Sequence, residues 1–192
     1  MGAGRFGVLA VCTGNIGRSP MMERLLRHDL AAAGLDQLVD VSGAGTWAQD
    51  GEPMEPYAEQ TLRERGIDAD AFAAQRLQAP LVTGAGLVVT ATREHRSAVV
   101  QLVPAAVRRT FTLLELARIV DRLPPLPAVR DADPLIRMRE AVGWAAQNRV
   151  PPTHESADDL DDPLGAPLDT YRERDDEIQV ACSRVVTLLR GG

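Results

Sequence analysis

One stretch near the N-terminus constrains the fold more than any other part of the sequence. Residues 8–11 are all apolar and predict a buried strand. Two glycines and an Asn lie between Cys12 and Arg18, and Ser19-Pro20 opens a segment with apolar residues on one face. A strand, a loop of small residues and a helix in that order predict an anion site. The loop N–H groups point inward and the helix start adds a partial positive charge.

The residue types in this loop fit the transfer of a phosphoryl group to sulfur. The start of a helix favours the thiolate form of a cysteine, so Cys12 is the candidate nucleophile. Arg18 can hold two oxygens of a phosphoryl group with its planar guanidinium, and Ser19 can donate its hydroxyl to the thiolate. Asn15 and the glycines tolerate the positive φ angles of a tight loop. A buried structural cysteine beside a solvated Arg18 is the plainer alternative.

The ten residues from Val11 to Pro20 resemble the signature of the low-molecular-weight protein tyrosine phosphatases. The resemblance implies a phosphatase that works through a cysteinyl-phosphate intermediate, with no metal or other cofactor. Its substrate would be a phosphorylated protein or a small phosphomonoester, and Cys12 and Arg18 would be catalytic. The loop residues that would bind the phosphate or another oxyanion are Thr13, Gly14, Asn15, Ile16, Gly17 and Ser19.

Strands and helices alternate along the rest of the chain and predict an α/β fold with a parallel sheet covered by helices on both faces. Further strands are predicted at residues 38–42, 86–91 and 108–112. Helices are predicted at residues 21–33, 55–65, 93–102, 113–123, 135–148 and 171–189. Connecting segments are predicted at residues 43–47, 67–77, 124–127 (a stiff linker) and 150–160 (a surface loop). The resemblance implies one domain over residues 1–192, with four strands in the order 2-1-3-4 and the phosphate loop after strand 1.

Four aspartates lie just before Pro163, at positions 158, 159, 161 and 162. By itself such a run indicates a solvated loop. Thiolate attack on a phosphate ester, however, needs a group that protonates the leaving oxygen. The residues Asp162 to Gly165, followed by Tyr171, resemble the family's D-P-x-G…Y loop, in which the Asp before Pro is the general acid. The resemblance therefore assigns this role to Asp162 over its three neighbours. Leu164 and Gly165 replace an aromatic pair, which implies a weaker preference for aryl phosphates.

Trp47 and His95 are two further candidates at the predicted edge of the sheet. Trp47 follows the second strand and would either form a flat wall for a substrate ring beside the phosphate loop or pack against the protein. His95 follows the third strand, at the edge where open α/β sheets bind ligands. The favoured interpretation of His95 is nevertheless a solvated residue in the first turn of a helix.

The residues that would support Asn15 differ from the family pattern. Gly43 stands where the family usually has Ser, and Phe72 stands where it often has His. In the family that His helps to hold the loop Asn, so Asn15 has fewer side-chain supports here. We still expect the loop to form, because Ser19 and the backbone remain.

The composition narrows the classes of function. The chain has 192 residues, of which 45% are hydrophobic and 25% charged, as is ordinary for a soluble globular protein. A net charge of −6 argues against nucleic-acid binding, and no apolar run approaches the length of a membrane span. Two cysteines and no signal-peptide pattern in Met1–Arg5 predict a cytoplasmic protein. Lys is absent, which with many Ala residues is typical of a GC-rich genome such as an actinobacterial one.

Two other enzyme functions and one binding function remain open from the sequence. Arsenate reductases share the fold. A thioredoxin-coupled arsenate reductase needs a resolving thiol, but the only other cysteine, Cys182, lies on a predicted core face. An arsenate reductase that uses a low-molecular-weight thiol needs no resolving cysteine. Protein-arginine phosphatases resemble the loop but carry Thr in place of Ile16, which argues against that function. A non-catalytic phosphate-binding module would keep the loop, although Cys12, Arg18 and Asp162 are all present.

Overall fold

The computed structural model describes residues 4–122, 133–152 and 154–191, and within them an α/β fold built on one four-stranded sheet. All strand pairs are parallel and the order is β2-β1-β3-β4, which confirms the predicted topology. The strands are β1 (Phe6–Cys12), β2 (Val39–Gly45), β3 (Leu87–Thr90) and β4 (Thr110–Thr112).

The described residues form seven α-helices, six of which the sequence predicts to within three residues at each end. They are α1 (Arg18–Ala32), α2 (Pro56–Glu64), α3 (Ala79–Gly84), α4 (Arg93–Leu102), α5 (Leu113–Val120), α6 (Pro134–Gln147) and α7 (Leu168–Arg190). The short α3 is not predicted, because six residues give too few turns for an apolar period to be seen. The predicted linker at residues 124–127 lies outside the described residues. None of the helices described is long and apolar enough to cross a membrane.

The side chains of β1 point alternately to the two faces of the sheet, and each face has its own core. Phe6, Val8 and Ala10 belong to the larger core, which is formed with α1, α2, α5, α6 and α7. Leu9 and Val11 belong to a smaller core with α3 and α4. The sheet is therefore covered on both faces, which explains why every residue of β1 is buried.

The second strand is longer than the sequence predicts, and the predicted loop at residues 43–47 is wrong in its first three residues. The strand continues to Gly45, pairing Ala10 with Gly43 and Cys12 with Gly45. Small residues made this stretch resemble a loop. These small residues have a low intrinsic preference for strands. They form a strand here because its backbone pairs with β1 and is buried by the surrounding core.

The segment 150–160 is not simply the polar surface loop that was predicted. It contains one 3-10 turn, Glu155–Asp158, and its end is buried against the sheet. The backbone N–H of Leu160 donates to the carbonyl of Ala91 at 2.8 Å, and the Leu160 side chain is fully buried. The segment thereby carries the acidic residues that follow it to the carboxyl edge of the sheet, where the first strand ends at Cys12.

Candidate active site

Cys12 is the last residue of β1, and the loop of residues 13–17 connects it to α1. The thiol is almost completely buried, and its Sγ lies 3.0 Å from Ser19 Oγ. Ser19 Oγ also accepts a hydrogen bond from Asn15 Nδ2 at 2.9 Å. Because that lone pair is occupied, the Ser19 hydroxyl hydrogen is left to point at Cys12 Sγ or at the more distant carbonyl of Ala44. The arrangement places a hydroxyl donor next to the sulfur.

Asn15 adopts the left-handed conformation that was expected in the loop, with φ of 54°. The side chain is buried, and its Oδ1 accepts a hydrogen bond from the backbone N–H of Gln75 at 2.9 Å. Gln75 in turn donates through Nε2 to the carbonyl of Gly43 at 2.7 Å. The expectation that the loop forms without Ser at position 43 and His at position 72 is confirmed. A backbone donor, which sequence reasoning does not reveal, supplies the missing support.

Two glycines of β2 allow the loop to lie directly on the strand. A Cβ at Gly45 would lie closer than 3.0 Å to the carbonyl oxygen of Thr13 and the backbone N of Asn15. A Cβ at Gly43 would come equally close to the Asn15 amide and the Glu23 carboxylate. Any side chain at Gly45 would therefore push against loop backbone, which has no room to move aside.

Arg18 begins α1, and its guanidinium is buried beneath the acidic loop. Nη1 donates to the carbonyl of Leu160 at 2.9 Å, and Nη2 donates to Asp162 Oδ2 at 2.5 Å. Nη2 also lies 3.5 Å from Thr13 Oγ1. The guanidinium therefore joins the phosphate loop to the segment that bears the candidate acid.

His95 is buried, so the interpretation of this residue as solvated is wrong. Thr92 caps α4, and the cap turns the ring under the phosphate loop, with Nδ1 2.7 Å from Thr92 Oγ1 and Nε2 2.9 Å from Thr13 Oγ1. Burial, and then the nearby charge of Arg18, lower the pKa of His95 to about 4. The imidazole is therefore neutral at pH 7. Since Thr92 Oγ1 already accepts the backbone N–H of His95, its hydrogen is directed at Nδ1, which favours a proton on Nε2.

Two of the four clustered aspartates are held in structural ion pairs. Asp158 is buried and accepts two hydrogen bonds from Arg118 Nη2, at 2.9 and 3.0 Å. Asp159 accepts from the backbone N–H of Arg93 at 2.7 Å and from its guanidinium at 3.0 Å. Both carboxylates fix the segment to the helices of the sheet edge, and neither lines the cavity around Cys12.

The other two aspartates differ in what they face. The Asp161 side chain is 89% exposed, and its nearest cation is Arg174 at 3.9 Å. Asp162 faces the buried Arg18 and remains about half exposed, and its Oδ1 accepts the backbone N–H of Leu164 at 3.2 Å. Asp162 is therefore the aspartate of the cluster that is both at the cavity and open to solvent.

A cavity of about 150 Å³ brings these groups together. The sequence-predicted site residues that line it are Cys12, Thr13, Gly14, Ile16, Gly17, Arg18 and Asp162. Asn15 and Ser19 are buried behind the loop and contact it from the protein side. Trp47 does not line the cavity, because the residue is 74% exposed and Arg76 stacks over its ring at 5.6 Å. Its backbone N–H nevertheless donates to Thr13 O at 2.9 Å.

Tyr171 completes the cavity wall, together with Pro163 and Leu164. Burial, and then the Glu55 carboxylate, raise the pKa of Tyr171, and its ring makes an edge-to-face contact with Tyr57 at 5.6 Å. The D-P-x-G…Y pattern was the sequence signal for this residue. Among the residues described, no group of three or more His, Cys, Asp or Glu side chains could hold a metal ion.

Cys182 lies in an apolar environment, outside the cavity that contains Cys12. Its thiol is fully buried in the larger core, 3.9 Å from the carbonyl of Met22, and burial raises its pKa. The predicted core position of Cys182 is confirmed.

Comparison with known proteins gives matches over most of the chain. The family model described as low molecular weight phosphotyrosine protein phosphatase matches residues 7–122. A low molecular weight protein-tyrosine-phosphatase of Streptomyces coelicolor is 36% identical over 130 residues, which cover 67% of this chain and 74% of the relative. A protein-arginine-phosphatase of Geobacillus stearothermophilus is 26% identical over 185 residues, which cover 96% of this chain and 97% of the relative.

Solved structures show the same two kinds of relative. The low molecular weight protein tyrosine phosphatase from T. tengcongensis superposes with a TM-score of 0.70 at 26% identity, covering 95% of this chain and 98% of the other. The arginine phosphatase from Geobacillus stearothermophilus superposes with a TM-score of 0.68 at 27% identity, covering 96% and 93%.

Proposed function

This chain belongs to the low molecular weight phosphotyrosine protein phosphatase family and is a phosphatase, and we propose that it hydrolyses protein phosphotyrosine through a cysteinyl-phosphate intermediate on Cys12. The proposal treats residues 1–192 as one catalytic domain. The observation that carries it is the single cavity in which the Cys12 thiol, the Arg18 guanidinium and the Asp162 carboxyl meet. A nucleophile, a cation for the phosphoryl oxygens and an acid for the leaving group are the three parts that this reaction requires.

In the first step, Cys12 Sγ attacks phosphorus, an S–P bond forms and the bond to the leaving oxygen breaks. Arg18 binds the phosphoryl oxygens, which requires its Nη2 to exchange Asp162 for the substrate. Released from Arg18, the Asp162 carboxylate takes up a proton from solvent and donates it to the leaving oxygen. The ion pair in this structure therefore keeps the acid within reach of the position where the leaving group departs.

In the second step, Asp162 accepts a proton from water, the water oxygen attacks phosphorus and the S–P bond breaks. Phosphate and the Cys12 thiolate are the products, and Asp162 is protonated again for the next cycle. The Ser19 hydroxyl, 3.0 Å from Cys12 Sγ, stabilises the departing thiolate. A solvent-open acid suits this step, because Asp162 must exchange with water.

Thr13 and His95 support the binding of the phosphoryl group from behind the loop. Neutral His95 donates from Nε2 to Thr13 Oγ1, which leaves the Thr13 hydroxyl hydrogen free to point into the cavity. A hydroxyl oriented in this way donates to a bound oxyanion without reorganisation. His95 is thus a positioning residue that acts through Thr13.

The rim of the cavity fits a substrate with a flat group next to the phosphate. Leu164 is an exposed apolar side chain that lines the cavity, and the exposed Trp47 lies beside the loop, where its backbone N–H donates to Thr13 O. A cavity of about 150 Å³ accommodates a phosphoryl group, so the rest of the substrate lies against this rim. We place the protein in the cytoplasm, where a reducing environment preserves a catalytic thiol.

Phosphoarginine on a protein is the second candidate substrate. The relative that matches over 96% of this chain is named a protein-arginine-phosphatase. Ile16 lines the cavity and presents an apolar side chain, and a phosphotyrosine ring matches such a wall better than a guanidinium does. The same nucleophile and cation serve both substrates.

The test compares three substrates under one set of conditions, with EDTA present throughout: p-nitrophenyl phosphate, a phosphotyrosine peptide and the same peptide with phosphoarginine. We expect turnover of the first two, with a higher kcat/KM for the phosphotyrosine peptide than for its phosphoarginine counterpart. An acid quench during turnover, followed by mass spectrometry, is expected to show a phosphoryl group on the peptide that contains Cys12.

The control is Cys12→Ser, which keeps the fold while removing the nucleophile. The reverse order of peptide preference assigns the enzyme to phosphoarginine. Turnover with no phosphocysteine overturns the covalent mechanism. Thiol-dependent reduction of arsenate without any phosphatase activity would overturn the whole proposal.

A further inference from the structure

A second cavity lies at the edge of the sheet opposite to Cys12. Its volume is about 430 Å³, and it is bounded by the start of β3, the 3-10 turn before β4 and helix α6. Three arginines line it, namely Arg108, Arg109 and Arg139. No Asp or Glu is among its described lining residues, although the whole chain carries a net charge of −6. The cavity is therefore a concentration of positive charge on an acidic protein.

Arg109 is a cation held in a fixed position. Its Nε donates to Ala85 O at 2.9 Å, Nη1 to Ala105 O at 3.1 Å and Nη2 to Val82 O at 3.4 Å. A guanidinium has five N–H donors, so two remain after these contacts. All three partners are neutral carbonyls, and they therefore orient the charge without neutralising it.

Arg108 and Arg139 are the adjustable part of the cavity. Both side chains are exposed, and no hydrogen bond or ion pair joins them to the residues that the structure describes. Many other arginines of this protein do pair with carboxylates, as Arg118 does with Asp158 and Arg172 with Glu64. Within the described part of the chain, these two guanidinium groups beside the fixed Arg109 are donors without an acceptor.

Helix α6 contributes a glycine that packing does not explain. Gly143 lies inside the helix, where glycine is less favourable than alanine. A Cβ at Gly143 would meet nothing within 4 Å, so no neighbour requires its absence. Gly143 lies one turn after Arg139 and lines the same cavity. The missing side chain leaves the floor of the cavity open at the point where a ligand would approach.

We propose that this cavity binds a small anion with two or more linked phosphate groups, such as pyrophosphate or the diphosphate of a nucleotide. Guanidinium groups bind phosphate oxygens through charge-assisted, often bidentate hydrogen bonds. A volume of about 430 Å³ falls in the range of small-molecule sites and exceeds what one tetrahedral oxyanion fills. Three guanidinium groups also carry more charge than one phosphate group requires. The site is separate from the residues around Cys12 and does not depend on their chemistry.

The experiment is a titration of the ¹⁵N-labelled full chain with pyrophosphate, followed by amide chemical shifts. These shifts distinguish the two sites, because Gly86 and Gly143 line the arginine cavity whereas Gly14 and Gly17 line the cavity at Cys12. We expect saturable shifts at Gly86 and Gly143, with an affinity that weakens as salt is added. No saturable shift at these two amides overturns the proposal.

Matched variants assign the binding to the arginines. Arg139→Ala is expected to weaken pyrophosphate binding by about tenfold or more, while Arg137→Ala, on the same helix but outside the cavity, changes it less than about twofold. Gly143→Ala is expected to weaken binding while it raises Tm by about 2–4 °C. A stabilised Gly143→Ala variant with unchanged affinity, or equal losses in the two arginine variants, contradicts the proposal.

Two further ligands identify what the site recognises. Inorganic phosphate is expected to bind at least about tenfold more weakly than pyrophosphate, since it reaches fewer guanidinium groups. Equal affinities for the two would overturn the requirement for linked phosphates. ADP binding tighter than pyrophosphate identifies a nucleotide site, and equal binding identifies a site for the diphosphate alone; both results support the proposal.

Discussion

The phosphate loop and the acidic loop form one cavity but are built in opposite ways. Half of residues 12–19 are buried, and the Asn15 side chain donates to Ser19 Oγ and accepts the backbone N–H of Gln75 on the protein side. Residues 161–165 are mostly exposed and hold their place through Asp162, which contacts Arg18, and through the Leu160 carbonyl before them. The phosphate loop is thus held from behind by the protein interior, whereas the acidic loop lies on the surface against it.

The difference follows from what each loop must do. A loop that binds a charged transition state is most effective when its donors are already oriented, because reorganisation then costs nothing during the reaction. An acid must exchange a proton with solvent and release Arg18 when substrate arrives, so rigid burial would hinder it. The five predictions below test this division between a preorganised loop and an exchangeable one.

The largest effect is expected from Cys12→Ser, which removes the nucleophile but leaves the loop hydrogen bonds almost unchanged. Turnover of p-nitrophenyl phosphate should fall by at least about 10⁴-fold, since a neutral hydroxyl cannot replace a thiolate here. Binding of phosphate, measured by calorimetry, should persist. If phosphate binding disappears as well, the loop depends on the sulfur for its shape and is not preorganised by its surroundings.

Arg18→Lys keeps the charge but removes the planar fork at the junction of the two loops. Activity is expected to fall by about 10²- to 10³-fold, because an ammonium cannot bind two phosphoryl oxygens in the same geometry. Arg24→Lys on the same helix is the control and should retain full activity. Near-normal kcat/KM for Arg18→Lys would show that position 18 contributes only charge.

Asp162→Ala should affect substrates in proportion to how much they need the proton. Hydrolysis of alkyl phosphates, whose leaving groups are poor, should slow by about 10²-fold or more, and that of p-nitrophenyl phosphate by less than about tenfold. Asp161→Ala, one residue away and exposed, should change neither rate. An equal loss across the leaving-group series would place the acid elsewhere in the cluster.

His95→Gln is expected to change the pH dependence of stability. Because folding lowers the pKa of His95 from 6.5 to about 4, the unfolded chain binds this proton first as pH falls. The stabilisation by the neutral ring is complete above pH 6.5 and lost toward pH 4, by roughly 3 kcal/mol in all. Urea unfolding of wild type and His95→Gln between pH 7 and pH 4 measures this. Parallel curves would mean that the ring is not held neutral under the loop.

Trp47→Ala is expected to have the smallest effect, on the substrate side of the rim. KM for a phosphotyrosine peptide should rise by about two- to fivefold with kcat unchanged, since an exposed ring contributes ground-state contact only. The KM for a small alkyl phosphate should not change. A fall in kcat would show that Trp47 orients the reacting groups, which its exposure does not suggest.

Much of this architecture can be predicted from the sequence, because the signals are local. The apolar run before Cys12, the Thr92 cap of α4 and the Asp162-Pro163 pair all act through neighbouring residues. The resemblance then implies the strand order and the role of each group. A neutral His95 and the bond from Gln75 to Asn15 were not found, because both depend on residues that are distant in sequence and meet only at the sheet edge.

The errors have the same origin. The glycines after position 42 predict a loop as long as the pairing with β1 is not known. The polar run at residues 150–160 predicts a surface loop as long as the pairing of Asp158 with Arg118 is not known. Burial of Asp158 is acceptable only because that arginine lies opposite. Local composition thus indicates that a segment is unfavourable to bury or to pair as a strand. It does not reveal the distant partner that makes the burial or pairing favourable.

The hydrogen atom that Gly45 carries in place of a side chain makes the site sensitive to a residue with no chemical role. The backbone of residues 13–15 packs directly on the strand at Gly45, so any carbon added there would occupy space that the loop fills. In a library of all single substitutions selected for activity, Gly45 should tolerate as few replacements as Cys12 does. Such a map of functional importance would mark Gly45 as strongly as Cys12, without distinguishing the residue that reacts from the one whose small size leaves room for the loop.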